Sequence, residues 1–361
     1  MKKIYLFICF LQVWSLIYPA ALAANVRVGI SLPTQNEERY YRDGYYLKAA
    51  LEKAGFEADL FYGGDGDVPT QCRHIRRLLN EGCKILVIGA VNAESLGTEL
   101  QEAKARGAAI IAYDVLLMNT PDVDYYVTFN NEQAGMLMAN YLERKLKLAQ
   151  ATPADPVRME FFAGSPSDIG SQLLWDSAMN VLMPYIQKHT LMAYSGELSF
   201  FFSATESWDS YPALQRMERL IKENDYRPGG KKLNAVLSPT DTISEGIMLA
   251  LDNAGYKGGD NYPLITGQYC HAVNIHSMLE HKQTMSMFKD GKLMGDAVVK
   301  MVQEIAAGRQ VEVTNTVSYN NGKKIVPAIE CDSQVVDIDN YKRMLVDSGF
   351  MTEEKIKFPY R

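Results

Sequence analysis

The 361 residues, 47% hydrophobic and 22% charged, can bury a large core and exceed what one core usually holds, so two lobes are expected. A formal net charge of −6, falling to −8 once Lys2 and Lys3 are removed, excludes the basic footprint of a nucleic-acid binder. Beyond the first residues no apolar run reaches the ~18 residues that a membrane span needs.

Lys2 and Lys3 precede an apolar run from Ile4 to Ile17, and Ala21-Leu22-Ala23 offers the small-x-small site that a signal peptidase accepts. That pattern predicts a cleaved secretory signal over 1–23 and a soluble, exported mature chain. Too few residues precede Cys9 for it to be a lipid-attachment site. Val26 to Leu32 then reads as a first strand, followed by a helix with Gly44, Leu47, Leu51 and Ala54 at helical spacing and Gly55 as its stop. The unit repeats with a strand at Ala58–Tyr62 and a helix that Pro69 opens and Ile75, Leu78 and Leu79 line. It repeats again with Lys84–Ala90 and a helix carrying Leu96, Leu100 and Ala103. Gly63-Gly64-Asp65-Gly66 lacks dinucleotide-binding spacing and reads as a turn.

Ala109 to Ala112 is the uniform apolar run of a strand covered on both faces, and Asp114 falls just past its carboxyl end, where open α/β sheets bind ligands. Val123 to Asn130 forms the next strand and the first candidate passage between lobes. Helices at Glu132–Lys147, Asp168–Tyr185, Trp208–Glu223, Thr242–Ala254, Ala272–His281 and Gly291–Gly308 alternate with strands at Met159–Ala163, Leu191–Tyr194, Ala235–Leu237, Leu264–Gly267 and Met285–Phe288. Such alternation predicts an α/β fold with parallel sheets built from βαβ units. Asn321-Gly322, between apolar runs from Val317 to Ile329, signals a hairpin.

No nucleophile elbow, phosphate loop or metal-binding helix motif occurs, and the five histidines are off the i,i+4 spacing of a metal pair, so no catalytic residue, metal or cofactor is expected. Cys72 and Cys83 are separated by roughly 15 Å if a helix runs between them, beyond the ~7 Å limit of a bridge; a Cys270–Cys331 bridge stays open. What remains is a set of polar residues at strand ends: Asp114, Asp168, Asp241 and Gln268. Carboxylates and amides there can bond hydroxyls, and Tyr40, Trp175, Trp208 or Tyr269 can supply a flat apolar face. Asp168 and Asp241 also suit helix N-caps.

Taken in order, Val28-Gly29-Ile30-Ser31-Leu32-Pro33-Thr34, Ile111-Ala112-Tyr113-Asp114, Val123-Asp124-Tyr125-Tyr126, Gly164-Ser165-Pro166, Ala235-Val236-Leu237-Ser238-Pro239, Gly267-Gln268, Phe288-Lys289-Asp290 and Tyr319-Asn320-Asn321-Gly322 resemble the type I periplasmic binding proteins. The xylose-binding and ChvE-type multiple-sugar-binding branch is the most similar. The resemblance implies two Rossmann-like lobes joined by a three-stranded hinge with crossings near 129–131, 287–289 and 316–318. One lobe would hold 24–129 and 288–316, the other 130–287 and 317–345, with 346–361 as a C-terminal tail. It further implies a monomer that takes a sugar or sugar-like molecule in the cleft and presents its closed form to an ABC permease, or else to a sensor kinase. Carried over by match, the ligand-binding residues are Arg39, Tyr40, Asp114, Asp168, Asp241, Gln268 and Lys289; Trp175 and Tyr269 join them as stacking faces. Three departures stand out: Val115 replaces a usual Arg, Tyr269 a usual Asp, and Ile169 a polar residue. They point to a modified sugar or nucleoside-like ligand, less hydroxylated than glucose or xylose.

Overall fold

The computed structural model describes residues 26–64 and 66–360; the expected signal lies outside them. β1 (Arg27–Leu32), β2 (Glu57–Tyr62), β3 (Ile85–Ile88), β4 (Ala109–Tyr113) and β5 (Tyr125–Phe129) run parallel in the order β2-β1-β3-β4-β5. Helices α1 (Glu38–Lys53), α2 (Val68–Asn80) and α3 (Gly97–Ala105) make the crossovers. Local chemistry sets their ends. At α2, Asp67 accepts a bond from the Thr70 backbone N–H at 3.0 Å and Pro69 sits in the first turn, while Ile75, Leu78 and Leu79 bury one stripe. Both faces of the sheet are covered, so β3 is buried throughout and Ile30, Val87, Ile88, Ile110 and Ile111 are fully enclosed. Each such side chain contributes about 1.5–3 kcal/mol.

After the first crossing, α4 (Asn131–Leu146) opens a second lobe with β6 (Val157–Phe161), α5 (Ile169–Gln187), β7 (Leu191–Met192), α6 (Ser210–Asn224), β8 (Ala235–Leu237), α7 (Asp241–Asn253), β9 (Leu264–Ile265) and α8 (Ala272–Leu279). Its strands are parallel in the order β7-β6-β8-β9. β10 (Met285–Phe288) extends that sheet: Met287 N donates to Gly267 O and Tyr269 N to Met287 O, both at 2.8 Å. The chain then returns to the first lobe, where α9 (Gly291–Ala306) packs on α1 and Gly295 leaves room for the Tyr46 ring.

The third crossing differs from the expected one. β11 (Ala328–Cys331) pairs with β5 in the first lobe, β12 (Gln334–Asp337) pairs antiparallel with β10 in the second, and the chain crosses at 331–334 rather than 316–318. The intervening residues stay with the first lobe because Tyr319 and Val326 are buried in the same cluster as Ile110 and Tyr126. The hairpin expected there contracts to a tight turn. Gly322 takes φ +84°, and the Asn321 amide donates to Leu117 O and Thr120 O at 3.0 and 2.7 Å. Residues 346–358 are no loose tail either, since α10 (Glu353–Lys357) packs on α8 and buries Ile356. All four described cysteines are free, and no described helix is long and apolar enough to cross a membrane.

Candidate functional site

The carboxyl ends of the two parallel sheets face a shared cavity of about 600 Å³, within the ~300–1,000 Å³ typical of small-molecule sites. Arg39, Tyr40, Asp114 and Val115 line it from the first lobe. Asp168, Trp208, Thr240, Thr242, Gln268, Tyr269 and His271 line it from the second, with Asn131 and Lys289 at the crossings.

Asp114 is aimed by its backbone, which takes a left-handed φ of +65° that Asp tolerates better than most residues. Its carboxylate lies 2.7 Å from the Arg39 guanidinium and accepts a bond from the Tyr40 hydroxyl at 2.7 Å. Burial would raise the Asp114 pKa, but Arg39 and Tyr40 outweigh it and hold the carboxyl below its ordinary value. Asp168 has no such cation in contact. It caps α5 by accepting from Gly170 N at 2.8 Å, and burial, with Asp114 nearby, pushes its pKa up to about 6. Lys289 donates to Asn131 Oδ1 at 2.8 Å, and burial brings its ammonium down to about 7. The cleft therefore offers both fixed charges and groups poised near neutrality, with donors and acceptors interleaved. Gln268 donates to Pro239 O, while its Oε1 has no partner among the described residues.

Flat surfaces complete the cleft. The Arg39 guanidinium lies between two rings, 4.5 Å from the Tyr40 centroid and 4.4 Å from that of Tyr269, and so joins the lobes. From sequence Trp208 is one possible face among four. It reaches the cavity because Ser207 and Trp208 both take left-handed backbones, φ +55° and +60°. Its ring lies so close over Gly164 that a Cβ there would meet it at 2.1 Å. Tyr269 is likewise held at φ +91°. Four cavity residues on left-handed backbone, Asp114, Ser207, Trp208 and Tyr269, is the pattern expected where a site over-determines local geometry.

Two expected site residues lie elsewhere. Trp175 is 4% exposed and packs edge-on between Phe161 and Phe200 in the second lobe's core, one member of the buried stripe Leu174, Ala178 and Leu182. Asp241 lies under the cavity rather than in it. Its fully buried carboxylate accepts from His271 N, Gln283 Nε2 and Ser286 Oγ at 2.8, 2.8 and 2.9 Å, while its neighbours Thr240 and Thr242 take the cavity wall. Thr240, not Asp241, caps α7. His271 stacks its ring 6.3 Å from that of Tyr269.

Two α/β lobes, three crossings and a polar, aromatic-walled cavity between them make the architecture of a hinged binding protein. The chain belongs to the periplasmic binding proteins: residues 28–310 match the family described as periplasmic binding protein domain. It is 36% identical to the multiple sugar-binding periplasmic receptor ChvE of Rhizobium radiobacter, over 94% of both chains. To the multiple sugar-binding periplasmic protein SbpA of Azospirillum brasilense it is 37% identical over 91% of both. Among solved structures, it resembles an ABC transporter solute-binding protein from Clostridium phytofermentans with bound β-D-glucose. The TM-score is 0.85 at 40% identity, covering 91% of this chain and 99% of that one.

Proposed function

We propose that the protein is exported to the periplasm, captures a monosaccharide in the interlobe cleft by hinge closure, and delivers it to an ABC permease. The observation that carries this reading is the pairing of charged hydrogen-bonding groups with flat rings around one cavity. Arg39 and Lys289 donate, Asp114 and Asp168 accept, and Tyr40, Trp208 and Tyr269 offer faces for the C–H side of a sugar ring. Val115 does leave the wall beside Asp114 apolar. Arg39, however, already supplies a guanidinium against that carboxylate, and this weighs towards a hydroxyl-rich ligand over a less hydroxylated one. The relatives named for sugars, and the similar structure holding glucose, support the same class.

Isothermal titration of the mature protein with D-glucose, D-xylose and a panel of nucleosides tests the ligand class. Saturable binding of either sugar is expected; binding of nucleosides alone would sink the reading. Deleting the gene and measuring radiolabelled sugar uptake tests delivery, with loss of uptake expected. Intact uptake alongside lost chemotaxis or kinase signalling would favour a sensor instead.

A further inference from the structure

The C-terminal segment is built into the second lobe. Leu345 and Ile356 are 0% and 1% exposed in a cluster with Cys270, Ile275, Met278 and Val336, and the Ile356 carbonyl lies 3.1 Å from His276 Nδ1. From that anchorage, among the described residues, it makes two contacts with α1 of the first lobe. The Phe350 ring lies 4.0 Å beneath the Arg42 guanidinium, and the Lys355 ammonium pairs with the Glu38 carboxylate. Phe350 also packs edge-on against Phe288, centroids 4.7 Å apart, and Phe288 is the last residue of β10 before the second crossing. Glu38 and Arg42 are one helical turn apart and 3.6 Å from each other. Between them in sequence stands Arg39, which carries the first lobe's charge into the cleft and meets Tyr269 of the second.

We propose that residues 339–358 form a clasp that biases the two lobes toward closure without ligand, by gripping the outer face of the helix that presents Arg39 and Tyr40. The clasp rests on the reading of the cleft as one that closes by hinge motion, but not on which ligand it takes. Its contacts lie outside the cavity, so they change the closed-to-open ratio while leaving the cavity side chains in place. A ligand that binds only the closed form then has an apparent dissociation constant equal to the intrinsic one divided by the fraction of protein already closed.

Small-angle scattering of the ligand-free mature protein tests this directly. Arg42→Gln removes the cation over Phe350 from a surface position of the first lobe, and Phe350→Ala removes its partner. Each is expected to shift the closed-to-open ratio toward open by about two- to fivefold, the range of an exposed cation–π contact, and so to enlarge the radius of gyration. Glu38→Lys is expected to do the same, and Glu38→Lys with Lys355→Glu to restore the wild-type radius. Opening by Phe350→Ala alone would mean disturbed packing within the second lobe and would overturn the clasp. So would radii identical to wild type in all variants with unchanged circular dichroism. If those identical radii still contract with D-glucose, the hinge survives and only the clasp falls; if they do not, the hinge reading falls as well.

Discussion

Lys289 Nζ donates a hydrogen bond to Asn131 Oδ1 at 2.8 Å, tying the second crossing between the lobes to the first at the floor of the cleft. The same ammonium lies 5.5 Å from the ring centroids of Phe129 and Tyr269, one from each lobe. One buried cation thus serves the hinge and faces the cavity, with two donors left beyond the bond to Asn131.

Replacing Lys289 with Met keeps the stem and removes the charge. Losing charge-assisted hydrogen bonds worth about 1.5–3 kcal/mol predicts a D-glucose affinity lowered roughly 10- to 100-fold by calorimetry. The wild type should also show a pH optimum. Asp168 accepts as a carboxylate only above about 6, and Lys289 keeps its charge only below about 7, so affinity should peak between the two and decline on either side. In Lys289→Met the alkaline decline should vanish; its persistence would assign that limb to another group.

Trp175 and Trp208 should separate by sugar affinity. Trp175→Phe alters a packed core position and is expected to lower stability by about 1–3 kcal/mol in urea unfolding, with sugar affinity nearly unchanged. Trp208→Ala is expected to differ in affinity, weakening binding by about 1–2 kcal/mol, while its half-buried ring also packs against the second lobe's core and its loss lowers stability too. Gly164→Ala, which puts a methyl where the Trp208 ring lies, should mimic the loss of binding without removing the indole. Equal affinities for Gly164→Ala and wild type would show that the ring's placement does not matter.

Much of this arrangement was legible because it is local. Uninterrupted apolar runs such as Ile85–Ile88 mark doubly covered strands, and Asp114, the residue just past the strand Ala109–Tyr113, falls at the sheet edge by chain geometry alone. What escaped depends on distant partners or on a single residue's rotation. β11 is only partly buried, its neighbour β5 lies about two hundred residues earlier, and nothing in Ala-Ile-Glu-Cys says which lobe it joins. Thr240 is the extended N-cap and Asp241 the first helical residue, so which of them reaches the wall is decided by the backbone turn at the helix start, which composition does not announce. Trp175 carried its own signal, the i, i+3, i+7 apolar stripe with Ala178 and Leu182, which marks core. Trp208 carried none, since its placement rests on two left-handed residues that composition does not announce.

Arg39→Met leaves the Asp114 carboxylate buried without its cation. Removing one partner of a largely buried pair costs about 3–5 kcal/mol, and binding should fall by more than in Lys289→Met because two cavity groups are disturbed together. Asp114 in the wild type is held below its ordinary pKa, so its contribution to stability is present above about 3.8 and lost as pH falls through the lower folded value. In Arg39→Met that acid-side loss should disappear. Chemical unfolding followed from pH 5 down to pH 3 measures it, and parallel curves for the two proteins would refute the assignment.

Asp241 gives the opposite sign. Burial lifts its pKa to about 6 despite the donors His271 N, Gln283 and Ser286, so the folded protein binds a proton there that the unfolded chain releases near 3.8. Stability from this group is therefore fully present below about 3.8 and lost as pH rises through about 6, on the order of 2–3 kcal/mol in all. Asp241→Asn cannot titrate, and comparing it with wild type cancels the groups that do not interact with Asp241, Asp168 included, leaving Asp241 and the His271 coupled to it. The stability advantage of wild type over Asp241→Asn, from urea midpoints and slopes, should thus shrink between pH 4 and pH 6.5 and stay level above. Because Asp241 lies beneath the cavity wall, Asp241→Asn should lose less sugar affinity than Lys289→Met at pH 6.5. A stability gap that is flat or widens with pH would mean that the carboxylate is ionised throughout, held by its three donors against the cost of burial.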